Sequence, residues 1–518
     1  MRPKLFAGRV GPAVILLCSV ALAVVLFRPN MRAQWGPWDD HGILQVLGPA
    51  HRASLGSALA QTSKFEELNL PGTGLRYRPS YALVQALEIW LFGDSLTAWY
   101  GARILAFGVM VACGWYLLAQ AAGPVLGSLF ALVLATRPYW ARIFACLGPG
   151  ETFSAPGAVV AILGIYWAWQ GGRENNLRRR RIGWLLFSLG SLLAIGCKEN
   201  MFWLAVPGLA LGWWEWRQGR LTALSVCLSG LVAAYAGFVT GAVLLATGKL
   251  SQDLYSNPVG WTARFGILLG GLRTYWIVPA ALIPALAAWA TPFLPRRLSV
   301  RWIAWELAVL GVFAIQIVFY NGGWDSATRY AFPGEALIGF ALFVPVISFW
   351  QERDTLQSSW SGLLWGGGGL LSAALLFVSW HNLQFLSPLI EYNVVVTRKF
   401  STTVQRAAEQ ARKRPGEPVV LYTRGAGEWE AVSSVPMYLR FLRVENPVVL
   451  RVDPHFRRAG WSPAMVEKIQ GELASYQSGG HWFAPAHVLS TATGCIEVSG
   501  YGPASPGSRC TFAGSLTP

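Results

Sequence analysis

Charge is scarce in this sequence. Of 518 residues, 13% are Asp, Glu, Lys or Arg, about half the roughly 25% usual in soluble domains. That shortage excludes an ordinary soluble enzyme, and the 53% hydrophobic content excludes low-complexity disorder. Cysteine is sparse and scattered. Cys18, Cys113, Cys146, Cys197 and Cys227 fall in or beside apolar runs, and Cys495 and Cys510 lie in the tail. No Cys-x-x-Cys and no Cys/His array at zinc spacing occurs, so a structural metal has no support. An internal repeat of solenoid period is also missing. Long apolar runs, by contrast, recur along the whole chain. With 26 Trp, several where apolar runs meet polar loops, and a mean hydropathy of +0.40, the chain reads as a polytopic α-helical membrane protein.

A span needs about 20 apolar residues. Eleven segments qualify, at 11–28, 96–119, 124–140, 152–169, 182–197, 201–216, 221–247, 272–291, 302–320, 332–350 and 361–380. The first follows Arg2, Lys4 and Arg9 and lacks a convincing small-residue cleavage site, so it is read as an uncleaved span. The net charge of +16 concentrates in short loops, which argues for membrane orientation rather than nucleic-acid binding. With the N-terminus cytoplasmic, the inner loops hold 14 Lys/Arg and the short outer loops and span edges seven, the run Arg178–Arg181 being the strongest marker. An odd span count puts the tail outside. A bacterial inner membrane, with a periplasmic tail, is the expected location.

Two larger polar pieces then lie on the outer face. The loop 29–95 carries helix-like stretches at Asp40–Ala60 and Ser80–Phe92, the latter apolar enough to lie on the membrane surface. The chain accordingly divides into a membrane domain, 1–380, and a tail, 381–518. In the tail, β-rich runs at Val419–Thr423 and Val448–Val452 alternate with helical patterns around Thr402–Arg412 and Pro463–Tyr476, which predicts a small α/β domain. Gly366–Gly369 lacks a following Lys-Ser/Thr and is read as close helix packing or a kink. An oxidising outer compartment would pair Cys495 with Cys510.

Five polar groups map to the outer face. Trp38-Asp39-Asp40-His41 follows span one. Its acidic pair suits a general base or a metal, and equally a helix N-cap; His41 reads as a solvated surface histidine. Tyr77-Arg78-Pro79 is either a helix start with a snorkelling Arg78 or part of a site. Glu151 opens span four, where the helix dipole favours it. Lys198-Glu199 interrupts an apolar segment, as a mutually neutralised turn or as a functional pair. Arg329-Tyr330 precedes span ten with Pro333 after it, against the charge bias. Basic Arg78, Lys198 and Arg329 suit a lipid-level phosphate, and acidic Asp39, Asp40 and Glu151 suit a hydroxyl nucleophile. Cations for a phosphate beside carboxylates for an acceptor describe transfer from a lipid-linked phosphosugar.

At these residues the sequence resembles the GT-C superfamily of integral-membrane glycosyltransferases, in its protein O-mannosyltransferase and aminoarabinose-transferase-like branch. Asp39-Asp40 stands where that family has an acidic pair in the first outer loop. Tyr77-Arg78-Pro79 followed by Leu91-Phe92-Gly93 is similar to its Tyr-Arg-Pro…Leu-Phe-Gly segment. Gly148–Glu151, Lys198-Glu199 and Arg329-Tyr330…Pro333 follow its later motifs in order over residues 10–350. The second acidic residue departs from the commoner Glu, His41 follows it, and the tail does not read as tetratricopeptide repeats. The resemblance implies a polyprenyl-phosphate-sugar donor, inversion at the anomeric carbon and a glycan, lipid or protein acceptor. It implies catalysis by Asp39 or Asp40, donor-phosphate binding by Arg78, Lys198 and Arg329, and positioning by Tyr77, Glu151, Glu199 and Tyr330. No third carboxylate is placed to complete a hard-metal shell, so transfer without a metal or other cofactor is expected. The rivals are a ligase or polymerase using a lipid-diphosphate-linked oligosaccharide, a transporter or flippase, and an assembly scaffold. A transporter should show ionisable residues mid-span in matched halves, and the sequence has no such halves.

The topology has a direct test. A C-terminal alkaline phosphatase fusion is expected to be active and a C-terminal green fluorescent fusion dark; the reverse would place tail and acidic loop in the cytoplasm.

Overall fold

The computed structural model describes residues 10–62, 77–247, 261–274, 296–319, 361–423, 429–452 and 494–498, with isolated residues between 282 and 347. Its helices are α1 (Val10–Phe27), α2 (Asp40–Leu47), α3 (Leu55–Thr62), α4 (Pro79–Phe92), α5 (Leu96–Ala122), α6 (Pro124–Ala135), α7 (Trp140–Phe144), α8 (Glu151–Arg173) and α9 (Leu177–Cys197). After a 3₁₀ turn at Glu199–Leu204 come α10 (Ala205–Arg217), α11 (Ala223–Thr247), α12 (Trp261–Thr274), α13 (Arg296–Phe319), α14 (Ser361–Lys413) and α15 (Trp429–Phe441). Strands β1 (Val419–Thr423), β2 (Val448–Val452) and β3 (Gly494–Val498) form one parallel sheet in the order β2-β1-β3, with Val419 beside Val448 and Gly494.

Six of the eleven expected spans coincide with helices long and apolar enough to cross a bilayer: α1, α5, α8, α9, α11 and the apolar part of α14. Their outward faces are greasy, Leu17 and Val25 standing 70% and 74% exposed, as lipid contact requires. The chain is a polytopic helical membrane protein. The expected span at 124–140 is a helix of 12 residues, about 18 Å long and too short for a hydrocarbon core of about 30 Å. The segment 201–216 is likewise divided, because Glu199–Leu204 takes the 3₁₀ form before α10 begins. Segment 302–320 lies in α13, whose apolar stretch is the shorter Trp302–Ile315. Segments 272–291 and 332–350 lie largely outside the described residues.

The loop 29–95 folds as expected into short helices, α2 and α3 in one stretch and α4 in the other. The surprise is α14. It runs 53 residues without a break, about 80 Å, through the expected boundary at 380/381, and so joins membrane bundle and sheet in one rod. Among the described residues, nothing lies within 4 Å of where a Cβ would be on Gly368 or Gly369. Both expected strands form at Val419–Thr423 and Val448–Val452, and α15 is their crossover. Residues 463–476 and Cys510 lie outside the described residues.

The tightest helix contact is the antiparallel hairpin α8–α9. A Cβ on Gly164 would meet the Gly183 carbonyl at 2.6 Å, and one on Gly183 the Gly164 carbonyl at 2.7 Å, so the two backbones touch through their hydrogens. Asn176 caps α9 by accepting from the Arg179 amide at 3.0 Å. The run Arg178–Arg181 is therefore the first turn of α9, not a loop. Arg180 in particular is buried, donating to both carboxylate oxygens of Glu215 at 2.7 and 2.8 Å, with the Trp184 indole on the same carboxylate. It is a structural cation.

Substituting Gly164→Ala is expected to lower stability, because overpacking a helix contact costs about 1–3 kcal/mol and outweighs the helix-propensity gain of about 1. Gly368→Ala, which meets no described atom within 4 Å, should be neutral or stabilising. Thermal unfolding of both variants in detergent separates them.

Candidate active site

The hairpin brings two distant motifs together. Because α8 starts at Glu151 and α9 ends at Cys197, Glu151 and Lys198 share one end of the bundle. Lys198 adopts an extended backbone there, φ −151° and ψ 113°, and turns its side chain to Glu151, with which it forms a fully buried ion pair. Its neighbour Glu199 faces the opposite partner. Arg78 holds it with two bonds, Nε to Oε2 at 2.7 Å and Nη2 to Oε1 at 3.2 Å, both side chains 7% exposed. The pairing is thus crosswise, and the reading of Lys198-Glu199 as a self-neutralised turn is replaced by two pairs that tie the first loop to α8 and α9. Charge at this depth persists only when paired and hydrogen-bonded.

The acidic pair does not cap α2 through its side chains. Asp39 occupies the N-cap position without a side-chain cap bond and with φ +60°, in the left-handed region that non-glycine residues enter at a cost. That twist sends its carboxylate to Arg329, a pair 27% and 19% exposed, more open than the two pairs above. Gly148 backs Asp39 so closely that any Cβ there would collide with the Asp39 side chain. Asp40 turns inward and accepts the Gly36 amide at 2.6 Å. Burial pushes its carboxyl well above the usual range, the Gly36 bond opposing this and the charge of Asp39 adding to it.

A third buried pair, absent from the sequence reading, supports the floor. Arg103 of α5 binds Glu88 of α4, Nη2 to Oε2 at 3.0 Å, and also donates to the Leu147 carbonyl at 2.8 Å. Two further groups suspend the same loop: Tyr81 donates to the Gly148 carbonyl and Asn393 of α14 to the Ala145 carbonyl, each at 2.5 Å. A lone Arg inside an apolar run was the available signal; its partner, 15 residues earlier in another helix, was not. Cys146 on this loop has its thiol pushed up to about 12 by burial.

His41 is half-buried, not solvated. The Ser434 hydroxyl of α15 lies 3.3 Å from its Nδ1 and donates to the Pro37 carbonyl at 2.5 Å, so the α/β tail grips the acidic loop on both sides. Burial pushes the imidazole below its ordinary value, the charge of Asp39 opposing. Tyr77 sets its ring edge-on to Phe238 with centroids 5.3 Å apart, and Tyr330 lies outside the described residues. Asp39, Asp40, Arg78, Glu151, Lys198, Glu199 and Arg329 thus gather at one end of the bundle, where Arg329, Arg78 and Lys198 all act on the Glu151 carboxylate. Among the described residues no group of three His, Cys, Asp or Glu could hold a metal ion.

No protein-family model matches the chain, and no curated protein matches it by sequence. Among solved structures it is similar to ArnT from Cupriavidus metallidurans bound to undecaprenyl phosphate, at 15% identity over 89% of this chain and 90% of that one, TM-score 0.47. The apo structure of the same protein gives 15% identity over 88% of each chain, TM-score 0.45.

The crosswise pairing makes a stability prediction. Arg78→Met strands Glu199 in the interior and is expected to cost about 3–5 kcal/mol. The double variant Arg78→Met/Glu199→Gln should recover much of that loss. Equal melting of single and double variants in detergent would mean the pair is not formed.

Proposed function

We propose that the chain is an inverting glycosyltransferase that moves a sugar from a polyprenyl-phosphate donor to a hydroxyl acceptor at the outer face of the membrane. The observation that carries this reading is the Asp39–Arg329 pair: a carboxylate and a guanidinium, the most open of the site's pairs, set on a floor of buried, neutralised charge.

The chemistry follows from what each partner does when the donor phosphate arrives. Arg329 offers planar donors that suit a phosphate at least as well as a carboxylate. As the phosphate draws the guanidinium, Asp39 loses its counter-ion and becomes a better base. The acceptor oxygen then attacks C1, its O–H proton passes to the Asp39 carboxylate, and the C1–O bond to phosphate breaks, leaving the polyprenyl phosphate. One displacement gives one inversion. Cations beside the leaving phosphate lower the barrier because charge accumulates there. Arg78 and Lys198, each buried against its own carboxylate, contribute to that positive field, with Glu151 and Glu199 fixing their positions. Asp40 is the support: buried and bonded to Gly36, it shapes the turn that presents Asp39.

The assay uses the purified protein in lipid nanodiscs with polyprenyl-phosphate sugars and lipid or glycan acceptors. Asp39→Asn should lower turnover by a general-base factor of about 10²–10⁴ without weakening donor binding. Arg329→Ala should weaken donor binding by about 2–5 kcal/mol. Asp40→Asn should loosen the loop and lower the melting temperature more than Asp39→Asn does. Full turnover by well-folded Asp39→Asn would remove the assignment of the base.

A further inference from the structure

The turn between α8 and α9 carries a second polar site, at the end of the bundle remote from Glu151 and Lys198. Helix α8 runs 23 residues from Glu151 to Arg173, about 35 Å, so this turn lies well clear of the groups gathered around Asp39. A cavity of about 240 Å³ opens there, lined by Trp167 of α8, Asn176 of the turn, and Arg178, Arg179 and Ile182 of α9. Positive charge dominates the turn. Arg173, Arg178, Arg179 and Arg181 stand against Glu174, because Arg180 is engaged by Glu215. Arg173 is laid on the Trp169 ring, 5.0 Å from its centroid. Arg179 holds Glu174 at 3.0 Å, both side chains part exposed, and a pair that open contributes little. Arg178 is exposed and, among the described residues, forms no hydrogen bond or ion pair.

We infer that this cavity seats the phosphate of an anionic glycerophospholipid from the surrounding bilayer, with an acyl chain running down the outer face of α9. Arg178 and Arg179 both line it, and each guanidinium offers a planar fork of donors that fits phosphate oxygens. What selects a lipid over a free anion is the surface that continues below the cations. Arg178, Ile182, Leu185 and Leu189 fall at i, i+4, i+7 and i+11, which is one stripe of a helix. Its three apolar members are all exposed. The stripe covers about 16 Å, the depth of one leaflet of a hydrocarbon core about 30 Å thick. Trp167, edge-on to Tyr116 with ring centroids 6.3 Å apart, adds an amphipathic ring of the kind that settles at headgroup level. Cations above one leaflet's depth of apolar surface match the outline of a phospholipid, and basic clusters at the membrane surface draw the anionic ones.

The test uses the purified full chain in a neutral detergent, titrated with phosphatidylglycerol and followed by native mass spectrometry, which counts the lipids bound. The first lipid is expected to bind more tightly than later ones. Arg178→Gln should weaken it about fivefold and Arg178→Gln/Arg179→Gln about 25-fold, the effect of one and two basic residues beside an anionic headgroup. Arg178 is exposed, so the single variant should keep the fold, and equal melting temperatures check this. Arg181→Gln, in the same basic run but outside the cavity, should leave the affinity unchanged. An equal loss in Arg178→Gln and Arg181→Gln would mean diffuse attraction and no site. Unchanged affinity in the double variant, or phosphatidylcholine bound as tightly as phosphatidylglycerol, would overturn the inference. Displacement of the first lipid by inorganic phosphate, and not by chloride at the same ionic strength, would overturn the lipid in favour of a free anion.

Discussion

Everything at the working end of this molecule depends on neutralising charge where water is scarce. A lone ion moved into a low-dielectric interior costs several kcal/mol even after relaxation, so each charged group must find its counter-ion inside the protein. The partners lie far apart in sequence: Arg78 with Glu199, Lys198 with Glu151, Arg103 with Glu88, Arg329 with Asp39. Each pair ties two segments of chain, and together they fix the first loop against α5, α8, α9 and the approach to the later spans. The site is a consequence of how the bundle solves its own electrostatics.

Exposure sorts these pairs by what they can do. Arg103 and Lys198 are essentially inaccessible, Arg78 nearly so, whereas Asp39 and Arg329 keep 27% and 19% of their side-chain surface. A pair at 0% has no route for a competing anion and acts as scaffold and fixed field. A partly open pair can exchange one partner for a ligand of the same sign. The left-handed backbone at Asp39 and the side-chain-free surface of Gly148 behind it are the local cost of presenting that one carboxylate. The cost is met by bonds from Tyr81, Arg103 and Asn393 to the supporting loop.

Much of this was legible in the sequence, for identifiable reasons. A span of 20 apolar residues is a property of composition, so six of the long helices could be located directly. Strands β1 and β2 were legible because Val-Val-Leu runs between polar turns have little alternative. Helix continuity was not legible. Position 380 looks like a span end because apolar residues stop, yet α14 continues as an amphipathic rod whose buried positions Val394, Val404 and Ala411 share a core with the first loop and the strands. The short α6 was misread because its apolar run continues past Ala135 in letters while the backbone turns at Thr136. Ion pairing was least legible of all. Adjacent Lys198 and Glu199 suggest each other, but the extended backbone at Lys198 followed by a 3₁₀ turn points them apart. Nothing local specifies partners 47 and 121 residues away.

The same reasoning bears on why a site for a phosphate would be stored with its cations already paired. Unpaired guanidinium and ammonium groups gathered at one bundle end would repel each other and lower the stability of the fold. Carboxylates placed among them remove the repulsion and keep the geometry in the empty state. The proposed donor then exchanges for one carboxylate only, the most open one, so the charge balance of the floor is unchanged. On that proposal, the carboxylate set free is the one that accepts the proton. On the proposed mechanism, donor binding and activation of the base are one event, so an acceptor hydroxyl would meet a competent base only when a leaving phosphate is in place. In an end of the bundle where water can enter around Asp39 but not around Lys198, that coupling would limit the wasteful transfer of sugar to water.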